Sequence, residues 1–284
     1  IIQFIEPWGV TGRIAGELVI IGAVCICLGY FVKFHFRWAL DFSELKRQLR
    51  IGIPLYSITL MYGVWLWAER ITVAHLWGLK LLGLYMFVIA GIELANLLLS
   101  SSLQVLSVEI YKKMHSGQSP KDVKWLNEKP TLLIALISPF LGAIILYLGP
   151  LIINRFFSEF SETVALLPWA ALTIWLQGIQ AVYATSMTSE LMNMQKRVLY
   201  IKIIHVLVHV LCVYLLFYQG LGIEGALVAR NIALAISATL VIWNCSIFFE
   251  NQVGTALKEV GKYTLPMCWG ALIFLLLEQF SSAD

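Results

Sequence analysis

The sequence is short of charge. Only 13% of its 284 residues are Asp, Glu, Lys or Arg, about half the share of a soluble domain, and that shortage excludes a water-facing globule. Dense basic runs are missing as well: the formal charge is +3 with the 20 Lys and Arg scattered, so nothing supports a nucleic-acid surface. Cysteine is sparse, and Cys25, Cys27, Cys212, Cys245 and Cys268 all sit in apolar runs. They read as small buried hydrophobes and not as a disulfide framework. The C-x-C pair at 25 and 27 has no His or carboxylate beside it, which leaves a zinc site without ligands. Short segments with period-two alternation, the mark of a membrane barrel, are lacking too.

What is present is apolar: 60% of residues belong to the set AVILMFWYC, with a mean hydropathy of +0.81. At about 20 residues per crossing, eight candidate spans emerge, near 13–36, 51–68, 81–108, 131–153, 164–188, 198–219, 223–248 and 263–280. Runs this long and unbroken predict an all-α polytopic membrane bundle. Cytoplasmic loops collect Lys and Arg. Lys33, Arg37, Lys46, Arg47 and Arg50 follow the first span, and Lys112, Lys113, Lys121, Lys124 and Lys129 follow the third, so loops 33–50 and 109–130 are expected inside. Lys196, Arg197, Lys258 and Lys262 follow the fifth and seventh spans, whereas the alternate loops hold only Arg13, Arg70, Lys80 and Arg155. This alternation starts the chain outside, at Ile1, with no charged leader. The expectation is a fragment of a longer transporter-like chain.

Polar side chains inside spans are costly enough to face a bundle interior or a water-filled cavity. At 100° per residue several share a face: Glu93, Asn96, Ser100, Gln104 and Ser107; Thr173, Gln177, Gln180, Ala184 and Thr188; Gln195, Lys202, His205, His209 and Cys212; Arg230, Ser237 and Asn244; Tyr56, Thr59, Gly63 and Arg70. Taken singly, such residues are interhelical glue at about 0.6 kcal/mol each. Five stripes, four with an ionisable residue, instead predict a hydrated cavity between helices. His205 and His209, one turn apart, are candidates for a substrate hydrogen bond or a protonation role, or else packing residues. Two imidazoles alone do not make a metal site. Glu93 reads either as a cavity residue or as a protonated or ion-paired structural carboxylate. Ala15, Gly22 and Gly29 form a small-residue row suited to close helix packing.

The order of local motifs carries a resemblance. Gly52 to Leu55 reads G-I-P-L after a basic loop, Glu69-Arg70 closes that span, and Gly83-Leu84-Tyr85 opens the next. Upstream stand Gly12-Arg13-Ile14-Ala15-Gly16-Glu17, then Arg37-Trp38 through Asp41-Phe42; downstream stands Gly222-Ile223-Glu224-Gly225-Ala226. This order resembles the O-antigen and capsular-polysaccharide flippases, the polysaccharide-transporter branch of the multidrug/oligosaccharidyl-lipid/polysaccharide superfamily. His205 and His209 depart from the Asn common there, Glu69 from Asp, and Arg230 from small residues.

The resemblance implies that residues 1–50 are the last helix of an N-terminal lobe plus a cytoplasmic linker, and 51–284 a second lobe like that of the superfamily's drug exporters. It implies a bacterial inner-membrane flippase, not an enzyme and needing no cofactor, that moves a polyprenyl-diphosphate-linked oligosaccharide by alternating access. Its working partners would be a polysaccharide polymerase and glycosyltransferases. Arg70, Lys202 and Arg230 would meet the diphosphate, with Glu93, Asn96, Gln177, Gln180, His205 and His209 lining the cavity. Trp65, Trp67 and Trp169 would stack on sugars or sit in the interfacial belt. The alternatives are a cation-coupled multidrug exporter using Glu93, and a membrane-embedded sugar or acyl transferase using His205 or His209 as base.

Overall fold

The computed structural model describes residues 9–32, 41–115, 124–189, 192–250, 258–259 and 261–263. Among them every regular element is helical. In order these are α1, Gly9–Val32; α2, Phe42–His115; α3, Trp125–Phe156; a 3-10 segment, Ser158–Leu166, leading into α4, Leu167–Met187; α5, Gln195–Tyr218; and α6, Glu224–Glu250. The chain divides into two compact units, residues 1–49 and 50–284.

In the first unit, α1 turns Leu18, Ile20, Ile26 and Tyr30 outward, each more than half exposed. The close packing expected along Ala15, Gly22 and Gly29 is not seen among the described residues, since a Cβ on Gly22 or Gly29 would meet nothing within 4 Å. Asp41 caps the start of α2, its Oδ1 accepting from Ser43 N at 2.9 Å and from Ser43 Oγ at 2.7 Å. These bonds, the hydroxyl first, hold the Asp41 carboxyl below its ordinary value.

Five stretches of the described residues are long and apolar enough to cross a membrane: Phe42–Leu97, Asn127–Phe156, Ser158–Met187, Gln195–Tyr218 and Glu224–Phe249. The difference from the eight expected is local. The first expected span falls on α1, where only the shorter Leu18–Tyr30 is apolar helix, and the last lies outside the described residues beyond Tyr263. The second and third share α2, because the stretch between them stays helical except at Gly78, with φ 83° and ψ 172°. That region is open to glycine alone, and a Cβ at Gly78 would still meet nothing within 4 Å. The need for glycine there is therefore conformational and not one of space. At about 1.5 Å per residue, the 56 residues of Phe42–Leu97 exceed one bilayer thickness nearly threefold in contour, enough for a crossing on either side of the break.

Within the second unit α6 is the central helix. Its buried Ala226, Ala229, Ala233, Ser237 and Ala238 let α4 and α5 approach closely, as small residues do where no hydrophobic effect drives association. One apolar cluster joins Val73, Tyr85 and Ile92 of α2 to Ile174 of α4 and Leu227 of α6. Another joins Ile134, Trp175, Val198, Leu234 and Val241 from α3 to α6. Outward-facing Leu133, Phe140, Leu151, Leu207 and Leu211 are each more than half exposed, an outer shell that suits hydrocarbon and not water. The helix ends are closed locally. Gln195 Nε2 donates to Thr188 O beyond the end of α4 at 3.1 Å. Gly220, at φ 83°, lets Leu221 N reach Leu216 O at 3.1 Å and so ends α5.

Candidate functional site

Arg230, in the second turn of α6, is fully buried and organises the site. Its Nη1 donates to Glu69 Oε2 at 2.7 Å and its Nη2 to Glu93 Oε1 at 3.4 Å. The guanidinium carbon lies 4.3 Å from the centroid of the Trp65 ring, a cation–π contact strengthened by desolvation. Glu69 Oε1, the second oxygen, accepts from Tyr85 OH at 2.5 Å. His209 Nε2 faces the same oxygen at 3.6 Å, just beyond hydrogen-bond range. Tyr62 OH donates to Glu93 Oε1 at 3.5 Å.

Helical spacing explains the gathering. Tyr62, Trp65 and Glu69 follow one another at intervals of three and four and so share a face before the Gly78 break, while Tyr85 and Glu93 come from the arm after it. His205 and His209 are one turn apart on α5. The Trp65 ring stands nearly perpendicular to both imidazoles, with centroids 4.6 Å from His205 and 6.1 Å from His209. A short polar chain continues from there: His205 Nδ1 lies 3.1 Å from Ser237 Oγ, to which Gln180 Nε2 donates at 2.9 Å. Several buried atoms in this knot have no hydrogen-bond partner, namely Trp65 Nε1, His205 Nε2, both ring nitrogens of His209, and Arg230 Nε.

Electrostatics single out Glu93. Two carboxylates share one guanidinium, and with both ionised one negative charge is in excess. Glu69 and Arg230 are sealed, their side chains 2% and 0% exposed, whereas the Glu93 side chain is 41% exposed. Its neighbours Leu94 and Leu97 are exposed apolar residues. A half-open carboxylate in such surroundings is costly against lipid and calls for water or a polar partner at that edge.

The expected cavity residues are partly assembled. Glu93, His205, His209 and Arg230 meet in the knot, and Gln180 reaches it through Ser237. Asn96 Nδ2 donates to Gln177 Oε1, tying α2 to α4. Lys202 is half-buried a turn before His205. Arg70 lies over Trp67, 5.9 Å from its centroid, one residue past Glu69 and hence on another face of the helix. The stripe read through Tyr56, Thr59 and Gly63 is not the buried face, because Tyr56 is 65% exposed while Trp65, Glu69 and Val73 are buried. Trp65, at 3% exposure, is core and belongs to no interfacial belt. The side chains of Ser100, Gln104 and Ser107, and loop residues 33–40 and 116–123, lie outside the described set.

Sequence reasoning missed Glu69 as the main partner of Arg230. The signal was the three- and four-residue spacing from Tyr62 through Trp65.

Two further features belong to the same unit. A cavity of about 370 Å³ between α4 and α6 is lined by Trp169, Trp175, Ile179, Val228, Ala235 and Tyr263. At the other end of α4, Lys124 Nζ bridges Glu128 at 2.9 Å and Glu259 at 2.8 Å, and Ser246 Oγ donates to Glu259 at 3.0 Å. Burial, then the Glu128 carboxyl, hold Glu259 above its ordinary value. Among the described residues no group of three or more His, Cys, Asp or Glu side chains is placed to hold a metal ion.

Comparison with protein-family models, curated proteins and solved structures returned no match.

Proposed function

We propose that the chain is part of a flippase that moves a polyprenyl-diphosphate-linked oligosaccharide across the bacterial inner membrane by alternating access. Residues 1–50 supply the last helix of the first lobe and its linker, and residues 51–284 serve as the second lobe with about seven helices; the whole chain makes eight crossings, with loops 33–50 and 109–130 cytoplasmic. The order of motifs from Gly12 to Ala226 supports this reading, as does a bundle of helices apolar enough to cross a membrane.

The observation that carries it is the buried Arg230 held between sealed Glu69 and half-open Glu93. A guanidinium offers paired planar donors, which suit a phosphate as well as a carboxylate. When an anionic diphosphate arrives at the open edge, the weaker 3.4 Å contact to Glu93 yields first, and full engagement of the diphosphate then draws Arg230 off Glu69. Arg70 and Lys202 present cations elsewhere along the bundle, and Asn96, Gln177 and Gln180 offer amides for sugar hydroxyls. Transport of this kind makes and breaks no covalent bond. A polymerase and glycosyltransferases would supply and consume the cargo.

Reconstitution tests the reading. The full-length protein in vesicles should carry a fluorescent polyprenyl-diphosphate oligosaccharide to the leaflet reached by an impermeant quencher, and translocation no faster than in empty vesicles would sink it.

The half-open pairing of Glu93 with Tyr62 favours a second reading, a cation-coupled drug exporter. That protein should protect a sensitive host from organic cations, which the flippase should not.

A further inference from the structure

We propose that His209 and Glu69 together form a proton-binding site whose occupancy is linked to what Arg230 holds: one proton is taken up when Arg230 leaves Glu69 for an anionic group. The inference rests on reading Arg230 as an anion-binding residue, but it is tested without transport.

The geometry divides Glu69 between two tasks. Oε2 is committed to Arg230 at 2.7 Å, and Oε1 accepts from Tyr85 at 2.5 Å while facing His209 Nε2 at 3.6 Å. With Arg230 in place the carboxylate is already neutralised, and a second cation at His209 would lie within the field of the guanidinium. Once Arg230 turns away, a carboxylate with 2% exposure is left without a counter-charge, which is among the most costly arrangements a buried site can hold. The nearest group able to supply positive charge is His209. Both of its ring nitrogens lack a hydrogen-bond partner, so whichever is unprotonated is free to accept. A proton from water adds there, and the resulting imidazolium donates to Glu69 Oε1.

The surroundings make His209, and not His205, the acceptor. Facing His209 are Glu69 and Trp65 from α2, with Arg230 of α6 bonded to that same Glu69; Tyr85 on Glu69 and Glu93 on Arg230, with Tyr62 on Glu93, are the next groups out, and His205 and Lys202 share its helix. His205 is turned to Ser237, 3.1 Å from its Oγ, and lies nearer Lys202 along α5, away from both carboxylates. Linkage then runs both ways: an anion on Arg230 raises proton affinity at His209, and a proton there raises anion affinity by the same factor.

Imidazole nitrogen-15 spectra of the full chain in lipid nanodiscs, assigned with His205→Asn and His209→Asn, test this directly. In Arg230→Gln the His209 signal should titrate at least one pH unit higher than in wild type. That is a tenfold gain in proton affinity, or about 1.4 kcal/mol. The double variant Glu69→Gln/Arg230→Gln should return it. A His209 titration unmoved by Arg230→Gln, or a shift that persists in the double variant, overturns the proposal.

A second arm does not depend on a variant that must fold. Inorganic pyrophosphate added to the wild-type protein should bind with uptake of a proton, read from calorimetry in two buffers of different ionisation enthalpy. Binding without proton uptake overturns the proton site. Failure of pyrophosphate to bind counts instead against the anion-site reading, while the Arg230→Gln spectra still decide the proton site.

Discussion

Arg230 gives its short contact to Glu69, at 2.7 Å, and its long one to Glu93, at 3.4 Å, although both carboxylates belong to α2. The gap at Gly78 in that helix is what brings two arms of one element around the same guanidinium. With no anion bound, Glu69 is the tightly held partner and Glu93 the first to exchange.

Removing one member of the sealed pair leaves the other charged and alone, which costs about 3–5 kcal/mol. Glu69→Gln and Arg230→Gln should each lower the unfolding temperature of the purified protein sharply. The double variant should lose much less than the two losses added together. Additive losses would mean that the pair is not coupled.

Glu93 behaves differently because its side chain is 41% exposed. With water at that edge the pair contributes about 0–1 kcal/mol, so Glu93→Gln should fold almost as the wild type does. An Arg230→Gln defect in stability should be relieved by Glu69→Gln and not by Glu93→Gln. Thermal unfolding of the two double variants reads the difference, and relief by Glu93→Gln would reverse the roles assigned to the carboxylates.

The helices were readable where long apolar runs meet polar ends, as on α3, α5 and α6, because spacing and length alone decide those cases. Gly78 was not readable as the sole break in α2. The residues before it contain charges that look like a loop, yet Val73 is buried and the backbone stays helical around it. In the site, Glu93, His205, His209 and Arg230 stood out as ionisable groups within spans. Glu69 sits at a boundary: the apolar run ends at residue 68, so the pattern places Glu69 and Arg70 at the span's end and not on its buried face. Tyr85 was noticed only as part of a motif. Its role as donor to a carboxylate on the other arm of α2 depends on tertiary packing that no local pattern encodes.

Orientation follows from loop charge. In a protein freed of native cysteines, a cysteine at Lys46 should resist an impermeant thiol reagent applied to whole cells, and one at Ser158 should react. The reverse pattern would invert the topology.

Substituting Gly78 by Ala should cost about 1–3 kcal/mol, the range for forcing a side chain into sparsely populated backbone space. Nothing lies within 4 Å of the added methyl, so the loss would come from conformation alone. Unfolding temperatures of Gly78→Ala and Gly78→Ser should fall alike. A loss growing with side-chain size would point to crowding.

Glu259 offers a pH test. Its carboxyl sits above the ordinary value of 4.5, first through burial, so the folded state holds this proton more tightly than the unfolded one. The stabilisation is therefore full at low pH and fades as pH rises through the folded-state value. Glu259→Gln, a permanent stand-in for the neutral acid, should flatten the fall in stability between acid and neutral pH. Taking the difference from wild type isolates Glu259 from Glu128 and Lys124, and identical pH profiles would show that its titration does not matter to folding.

The backbone at Gly78, with φ 83° and ψ 172°, has a mirror image in ordinary extended space. A right-handed amino acid at this one position would thus find the conformation relaxed where its natural counterpart is strained. The fold uses glycine here as the nearest genetically encoded substitute for reversed chirality, and a D-alanine introduced by chemical ligation should stabilise the protein that L-alanine weakens.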